Sequence, residues 1–568
     1  MKKLTLIIPL IIFITVIFFL SEKKETTILA KEDLITIQKK VDDQINKGKE
    51  NKNYKINSPY ILNNPYKISP LTSLIIFSSE ESITVEVFIN DKLYKTIDSK
   101  TFSIPIVGLR ENYNNKIELK ANDKTYEYYI NTPKVINTTI KTKGKSNNNY
   151  LVSGTRSKHF ILNENGEVIW YLDLDTQGLL EKTSSDTFFI GTEESILDEN
   201  ISTFTGLYEI DYLGKIRRRI DNNLGYHHCL KYIGDNRLLV LGSDLYPMDT
   251  VYELDITSGS VKKKINLLDV LSQENSDLKN YLINLEYSMG TNSLDYKDGK
   301  ILVSFRNINT ILEINYENAT INYLITSNST IKKYSSKYLI NFNKKILGLH
   351  DVRYLDNKKI SFYNNGYDYT LEHKSESASG MVIKVDNKKA KQVKNKINEK
   401  KYSYAFGSYQ QMNDEELINY SYMYEKIPEN KNEYESYYSR LIFYKNEKAK
   451  QEIKIDDNIY KAIVFNVNMS DNYVPTTYSY HSDYVTKSTN KIKTNKIFHE
   501  VTEITNNSIE LYMDTLNKDI KIVFKGKENY IIPYLNTKTY FQVPSGNYSI
   551  YVSVNGEYFK YKSKVTLI

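Results

Sequence analysis

The chain has 568 residues, which is enough for several domains or for one large repeat array. Its 76 basic and 69 acidic residues give a formal net charge of +7, and because they are interspersed they form no basic stripe of the kind that nucleic-acid binding requires. A single cysteine, Cys229, excludes an intrachain disulfide. We therefore expect neither a nucleic-acid partner nor a disulfide framework.

The N-terminus has the pattern of an export signal. Lys2 and Lys3 precede a largely apolar run from Leu4 to Leu20, whose length is near the lower limit of about 17 residues for crossing a bilayer. The following residues, SEKKE, lack a small-residue cleavage site. We predict that residues 1–22 form an uncleaved signal anchor, with a cleaved signal peptide as the alternative. Either interpretation places the rest of the chain outside the cytoplasm: anchored to the cell membrane by residues 4–20, or secreted or periplasmic after cleavage.

Two further segments precede the repeats. Residues 23–53 are polar and rich in lysine, with apolar residues at near-helical spacing, which predicts a helical stalk or linker. From 54 to 133 the pattern changes to period two, with Asn90 and Asp91 as the turn between two alternating runs. Several short strands in such a segment predict a small N-terminal β-sandwich domain.

One sequence pattern occurs six times after residue 133: an apolar strand, a polar turn and a second apolar strand. Recurrence at intervals of roughly 45 to 70 residues is typical of a β-propeller, in which each blade is a four-stranded sheet. We predict an all-β fold with a six-bladed β-propeller over residues 134–568, including the strand-rich C-terminal tail. The six copies begin at His159, Gly206, Thr250, Thr310, Gly380 and Arg440.

Two strands in this array begin with the same pattern, each led by a histidine. HCLKYIGDNRLL starts at His228 and HDVRYLDN starts at His350, and their apolar and basic positions correspond. In a circular repeat, equivalent strand starts converge on one axis, so we expect the two imidazoles to face each other across a central funnel. Segments beginning at Gly290 and Gly407 share the shape without the histidine.

The candidate chemistry rests on these histidines and one arginine. The imidazole of His350 can act as a nucleophile or as acid and base, and His228 can protonate a leaving group; the alternative for a histidine is a core residue bonded to backbone. Arg306 follows an apolar strand and can clamp a tetrahedral anion, or else form a salt bridge. No carboxylate cluster completes a metal site around these histidines and His227, and no glycine-rich phosphate loop is present. We expect neither a metal nor another cofactor.

These residues, in this order, resemble the motifs of the bacterial arylsulfate sulfotransferase family. The likeness covers nearly the whole chain after the predicted linker. The segments NPYKISPLTSLIIF and FSIPIVGLRENYNNKIEL resemble that family's N-terminal β-sandwich domain. The propeller motifs that carry the resemblance lie around His228, Asn292–Ser293, Arg306 and His350.

The resemblance implies a six-bladed propeller that moves a sulfuryl group from a phenolic sulfate ester to another phenol without a nucleotide sulfate donor. His350 matches the histidine that is transiently sulfated, Arg306 the arginine that binds the sulfate oxygens, and His228 a histidine that assists charge or proton transfer. A covalent sulfohistidine splits the transfer into two easier steps of a ping-pong mechanism. Asn292, His227 and Tyr287 are the expected substrate-binding residues.

The chain departs from the family at Gly290, where a second funnel histidine usually stands two residues before the Asn-Ser pair. Tyr287 and Tyr296 are candidates to replace it as donors. The rival hypothesis is a weakened or inactive propeller that binds or adheres, holding an anionic ligand through Arg306; a third is a hydrolase that passes the sulfuryl group to water. The expected partners are a phenolic sulfate donor, a phenol acceptor and the membrane, and a homodimer is one arrangement that the sequence allows.

Overall fold

The computed structural model describes residues 27–568, apart from residues 155–158, 184–185, 193–202, 274, 286–287, 357, 369–375, 398–401, 425–436, 468, 489–491, 493, 495, 500, 514–518 and 536. The chain divides into two compact units, one of residues up to 36 together with those from 483, and the other of residues 37–482. The predicted anchor lies outside the described residues. Within the described part, no helix is long and apolar enough to cross a membrane.

A helix, Leu34–Glu50, leads into the larger unit and packs against it. Its residue Gln38 is buried, and the side-chain amide donates hydrogen bonds to the carbonyls of Tyr66 and Gly214 at 3.0 and 2.8 Å. The same side chain accepts a hydrogen bond from the Ile216 amide at 2.9 Å. The segment predicted as a polar helical stalk or linker is, in its helical part, packed against the protein, because a buried amide with three backbone partners fixes it.

The N-terminal β-domain is one antiparallel sheet built on two long paired strands. A register shift between Ser78 and Ile83 divides the first of these two strands into halves. Its first half also pairs with the strand before it, and its second half also pairs with the strand that follows the long pair. Asn90 and Asp91 have φ values of 48° and 66°, which confirms the predicted tight turn. The strands are Tyr60–Asn63, Thr72–Ile89, Lys92–Val107, Asn114–Ala121 and Lys124–Asn131.

The described residues from 140 to 482 form six antiparallel sheets of four or five strands, and sheets 1 to 3 follow one another along the chain. Sheet 1 also receives a parallel fifth strand, Ser479–Ser482. Sheet 1 contains Thr176–Lys182, Thr187–Thr192, Phe204–Asp211 and Ile216–Tyr226; sheet 2 contains Leu230–Gly234, Arg237–Gly242, Thr250–Asp255 and Val261–Asn266; sheet 3 contains Thr291–Lys297, Lys300–Phe305, Thr310–Asn315 and Ile321–Thr326.

Sheets 4 to 6 complete the series, and the last two combine strands from both ends of the array. Sheet 4 contains His350–Tyr354, Lys359–Asn364, Ser379–Asp386 and Lys389–Ile397; sheet 5 contains Ser408–Gln411, Glu415–Tyr424, Tyr437–Lys445, Lys448–Ile455 and Ile140–Gly144; sheet 6 contains Ile459–Val464, Tyr150–Gly154, His159–Leu162 and Val168–Leu172. Each of the six hairpins predicted from the sequence is confirmed, and each forms the third and fourth strands of one sheet.

The first strand of each sheet contacts the first strand of the next, from sheet 1 through sheet 6, and sheet 6 contacts sheet 1 through Tyr150–Gly154. The starts of these first strands therefore lie near one another, although they are far apart in sequence. Short helices connect sheets 2, 3 and 4, and Asn266, Asn275 and Asn328 cap them by accepting backbone N–H bonds. These helices are Leu267–Ser272, Ser276–Ile283 and Ser329–Tyr334, followed by a 3₁₀ turn at Ser336–Tyr338.

The smaller unit, formed by residues up to 36 and those from 483, contains the C-terminal strands. The sequence had predicted that these strands belong to the propeller. It has its own apolar core, in which Phe524 packs against Phe541 and Tyr548. Its described strands form a seven-stranded and a three-stranded sheet. They are Thr27–Leu29, Thr486–Ser488, Ile497–Phe498, Val501–Ile504, Ser508–Leu511, Ile520–Lys525, Asn529–Pro533, Lys538–Tyr540, Gly546–Val554 and Glu557–Leu567.

Candidate functional site

The structure brings the three predicted catalytic residues together at the starts of the first strands. His350 begins the first strand of sheet 4, His228 precedes that of sheet 2, and Arg306 follows the second strand of sheet 3. The ring of Tyr460, from the first strand of sheet 6, contacts both imidazoles, with ring centroids 6.0 Å from His228 and 5.9 Å from His350. Charge on Arg306 acts on both histidines and lowers the pKa of each.

Hydrogen bonds define the tautomer of His350. Its Nδ1 lies 2.8 Å from Oδ1 of Asn365 and 2.9 Å from the carbonyl oxygen of Gly348. Both partners are acceptors, because Asn365 uses its Nδ2 to donate to the Phe406 carbonyl at 2.8 Å and to Ser403 Oγ at 3.2 Å. Nδ1 therefore carries the proton, and Nε2 keeps a lone pair that makes no hydrogen bond within the described part of the chain.

The side chain of His350 is neutral at physiological pH. It is 2% exposed, and burial together with the nearby charge of Arg306 lowers its pKa to about 3. The same two causes lower the pKa of His228 to about 4. Both rings are therefore available as bases or nucleophiles far below the pH at which an ordinary histidine becomes protonated.

His228 is held by its neighbour His227. Nε2 of His227 donates to the Gly242 carbonyl at 3.1 Å, which leaves its Nδ1 as an acceptor 3.1 Å from Nδ1 of His228. Nδ1 of His228 is therefore the donor, and its Nε2 carries the lone pair. His227, which was predicted to contact substrate, is fully buried, and both of its ring nitrogens have partners in the protein. The φ of His228 is 52°, a left-handed conformation that is uncommon for residues other than glycine.

Arg306 supplies a positive charge beside both imidazoles. Burial lowers its pKa to about 10, against the opposing influence of four tyrosine hydroxyls around it, and the guanidinium stays charged at neutral pH. Its backbone N–H donates to the Gly290 carbonyl at 2.9 Å, which fixes the turn that presents it. A cation in this position can stabilise negative charge on sulfate oxygens.

Asn292 lies next to the site, but its side chain binds protein. Its Nδ2 donates to the Leu349 carbonyl at 2.9 Å, and its Oδ1 accepts from Ser304 Oγ at 2.6 Å. The side chain is 2% exposed. It therefore joins sheet 3 to the residue before His350, and it positions that histidine.

Asp351 follows His350 in the same strand, and its side chain makes contacts that hold the start of that strand. Its carboxylate contacts Arg353 at 3.0 Å and Lys461 at 2.9 Å, and accepts a hydrogen bond from the Tyr409 amide at 3.0 Å. Burial opposes ionisation, but the two cations outweigh it and hold the pKa of Asp351 below its usual value. The left-handed φ of 54° at Asp351 is thus held by contacts from sheets 4, 5 and 6.

Gly290 occupies a turn that has no room for the missing histidine. Its φ is 71°, and a Cβ added there would come within 2.7 Å of the side-chain amide of Asn307. That amide donates to the Ser288 carbonyl at 2.7 Å and is therefore fixed. Of the candidate replacements, Tyr287 lies outside the described residues, and Tyr296 packs edge-on against Tyr316, with ring centroids 5.6 Å apart.

Sequence reasoning missed Tyr460 and Asn365. Tyr460 contacts both imidazoles, its hydroxyl donates to the Asn292 carbonyl at 3.4 Å, and burial raises its pKa above the usual value for tyrosine. Continuing the repeat spacing beyond the hairpin at Arg440 would have pointed to the strand that carries Tyr460. No sequence signal identifies Asn365, since its role depends on which way its amide faces.

Within the described residues, no group of three or more His, Cys, Asp or Glu side chains is arranged to hold a metal. The site is instead two neutral imidazoles, a guanidinium and a phenol hydroxyl on a buried framework of hydrogen bonds. Such a set can bind an anionic group and attack it with nitrogen.

Two family models match the chain. One, described as Arylsulfotransferase (ASST), matches residues 133–481, and the other, described as the Arylsulfotransferase Ig-like domain, matches residues 60–143. Among curated proteins, none matches.

Three solved structures illustrate the similarity at low identity. Hydrazine synthase from Kuenenia stuttgartiensis is 11% identical, over 46% of this chain and 61% of that one, with a TM-score of 0.29. This chain therefore spans less than two thirds of the length of that protein. The WD40 β-propeller domain of Doa1 is 9% identical, over 67% of this chain and 95% of that one, with a TM-score of 0.30. The β-propeller domain of Cps50 (Swd1) from Myceliophteria thermophila is 9% identical, over 62% and 95%, with a TM-score of 0.30.

Proposed function

Because the chain belongs to the arylsulfotransferase family, which supports aryl sulfotransferase activity in general, we propose that it moves a sulfuryl group from a phenolic sulfate ester to another phenol by a ping-pong mechanism through His350. The observation that carries this proposal is the tautomer of His350. Two acceptors hold the proton on Nδ1, so the Nε2 lone pair is available to attack sulfur near the positive charge of Arg306.

In the first step, Nε2 of His350 attacks the sulfur of the donor ester. The N–S bond forms as the bond from sulfur to the aryl oxygen breaks, and the bonding electrons leave with the phenolate. The ring becomes an N-sulfoimidazolium, whose positive charge is stabilised because its Nδ1–H still donates to Asn365. Arg306 stabilises the negative oxygens of the sulfuryl group during transfer.

In the second step, an acceptor phenol attacks the sulfur of the sulfohistidine. Nε2 of His228 is unprotonated, so it takes the phenol proton as the new S–O bond forms and the N–S bond breaks. His350 returns to its neutral state, and His228 releases its proton to solvent. In the first step, the hydroxyl of Tyr460, protonated because of its raised pKa, turns from the Asn292 carbonyl to donate a hydrogen bond to the departing phenolate oxygen in place of the missing histidine.

The six sheets, in this proposal, are the blades of a β-propeller, and the site lies where their first strands begin. The sequence of residues 1–22 supports an extracytoplasmic location, anchored through residues 4–20 or released by cleavage. A donor ester, an acceptor phenol and the membrane are the proposed partners.

A second function is a binding protein that holds an anionic ligand without transferring it. Gly290 favours it, since the turn excludes a histidine there. The nucleophile and Arg306 remain, which favours catalysis over binding alone.

Steady-state kinetics with an aryl sulfate whose phenol is coloured tests the function. The full chain should release the phenol catalytically, and an added colourless phenol should accelerate release and become sulfated. Release that the added phenol does not accelerate indicates a hydrolase, and tight retention of the intact ester without release indicates a binding protein. Either of these two results would contradict the proposal, and His350→Ala is the control for background release.

A further inference from the structure

A group of aromatic side chains extends outward from the catalytic histidines. We call this group the aromatic wall, and each member keeps part of its side chain exposed to solvent. Exposed aromatic surface that is contiguous marks a ligand or partner site more often than scattered single residues do. The aromatic wall consists of Tyr367, Tyr402, Tyr404, Phe406, Tyr422 and Tyr437.

The aromatic wall is continuous with the site. Phe406 lies 4.9 Å from Tyr460, measured between ring centroids, and Tyr460 itself contacts both histidines. From Phe406 the rings continue to Tyr422 at 5.7 Å, to Tyr404 at 5.3 Å and to Tyr367 at 5.0 Å. These separations are those of favourable aromatic pairs, so the rings form one connected group that begins at Tyr460.

Two members of the aromatic wall adopt a backbone conformation that large residues rarely take. Phe406 has a φ of 61° and Tyr422 a φ of 50°. Such a conformation costs about 1–3 kcal/mol for a residue other than glycine and persists where its surroundings enforce it. Phe406 lies just before the first strand of sheet 5, and Tyr422 lies in an irregularity of the second. Both residues belong to the chain of ring contacts that leads to Tyr460.

The aromatic wall also surrounds the cation. Tyr404, Tyr367 and Tyr422 are close enough to Arg306 to interact with it electrostatically, as Tyr460 is. An ester whose sulfate group is held between Arg306 and His350 would therefore have aromatic rings on the sides around that group. A single substrate ring would contact Tyr460 and Phe406, and a second linked ring would extend to Tyr422 and Tyr404.

We propose that the aromatic wall is a binding subsite for a second aromatic ring, and that the preferred donors and acceptors are phenols of at least two linked rings. The inference rests on the proposed sulfuryl transfer and specifies its substrate class. Stacking on aromatic faces tolerates different substituents, since every aromatic ring has a π-face; the subsite therefore selects for ring number and not for a particular functional group.

The test compares phenyl sulfate with 4-phenylphenyl sulfate, which carry the same ester and differ in one ring. With the wild-type chain we expect kcat/KM for the two-ring ester to exceed that for the one-ring ester by about tenfold, in line with the strength of aromatic pairs. Tyr404→Ala should bring this ratio close to one, whereas Tyr404→Phe should preserve it because the ring remains. Tyr512→Ala, at a tyrosine that is 77% exposed in the other unit, is the matched control and should leave the ratio unchanged.

A wild-type ratio near one, or a ratio unaffected by Tyr404→Ala, would overturn the inference. If Tyr404→Ala fails to fold, judged by its melting temperature, Tyr422→Ala takes its place, since the second ring would also contact that side chain, which lies 5.7 Å from Phe406 between ring centroids. Failure of the proposed function is distinguishable, because the wild-type chain would then turn over neither ester.

Discussion

His350 and His228 occupy equivalent strand starts in sheets 4 and 2, yet their Nδ1 atoms have different partners. Nδ1 of His350 faces two oxygens that can only accept, whereas Nδ1 of His228 faces the nitrogen of a second imidazole. An oxygen acceptor locks the proton in place, while an imidazole can exchange it. This difference supports the proposed roles, with His350 as the fixed nucleophile and His228, bonded to His227, as the base.

The largest expected effect comes from removing the nucleophile. His350→Ala should lower kcat by about a thousandfold or more, because the covalent route is lost. Phenol release from a coloured aryl sulfate measures this, with circular dichroism as a check that the fold is retained. Near-normal turnover by a folded variant would rule out His350 as the nucleophile.

Removal of the base should separate the two half-reactions. His228→Gln should lower transfer to the acceptor by about a hundredfold, the usual contribution of a general base, while the first burst of phenol release persists. Pre-steady-state release measures the burst and steady-state release measures the transfer. If burst and turnover fell together by the same factor, His228 would not have the distinct role that the comparison assigns to it.

The tautomer of His350 is tested at Asn365. Asn365→Leu removes an acceptor for Nδ1–H and should lower kcat by about tenfold to a hundredfold, since the proton can then move to the attacking nitrogen. Asn365→Asp keeps an acceptor, so it should retain more activity and should also raise the pKa of His350. The two rates, with the acid limb of the pH profile for the Asp variant, give the measurement. Equal loss in both variants would mean that the amide acts only through packing.

A smaller effect is expected from the hydroxyl of Tyr460. Tyr460→Phe keeps the ring that contacts His228 and His350 but removes the proposed donor to the departing phenolate. Its rate should fall about tenfold for esters of poorly acidic phenols and less for esters of acidic ones, because an acidic phenol needs little stabilisation as it leaves. A loss independent of the acidity of the leaving phenol would argue for a purely structural role.

The smallest effect is on stability. His159, His228 and His350 are buried with pKa values lowered to about 4, 4 and 3, so the unfolded chain binds more protons than the folded one below the ordinary histidine value of 6.5. Stability should therefore fall as the pH decreases from about 6.5 towards 4. For His159, neither ring nitrogen has a hydrogen-bond partner among the described residues. His159→Phe should remove about 1.4 kcal/mol per pH unit of this slope. Urea unfolding at several pH values measures it, and an unchanged slope would show that His159 is protonated in the folded state.

Much of the fold could be predicted because its signals are local. Each of the six hairpins is encoded by one contiguous stretch of sequence, with two apolar strands joined by a polar turn. All six form as expected. The two histidine-led strand starts were recognisable for the same reason. Sheet 6 was harder, because its first strand Ile459–Val464 pairs with Tyr150–Gly154 from the other end of the array. The pairing that places Tyr460 at the site is therefore not visible in any short stretch of sequence.

The remaining features depend on contacts between distant residues. The amide orientation of Asn365 is set by the Phe406 carbonyl, and that of Asn292 by Leu349 and Ser304. Polar Gln38 lies on the predicted helix, yet it is buried because its backbone partners come from other segments. The sequence after residue 482 likewise predicts strands. It does not indicate whether they pack in the core of the larger unit or form a core of their own, because that depends on contacts between distant residues.

The most direct test of the central claim is detection of the sulfated enzyme. The chain is mixed with an aryl sulfate in the absence of an acceptor, quenched within milliseconds under alkaline conditions that preserve a sulfonated imidazole, digested and analysed by mass spectrometry. We expect the mass of one sulfuryl group on the peptide that contains His350, absent from His350→Ala and discharged by an added phenol. A transferring enzyme that shows no adduct, or an adduct on His228 instead, would contradict the account.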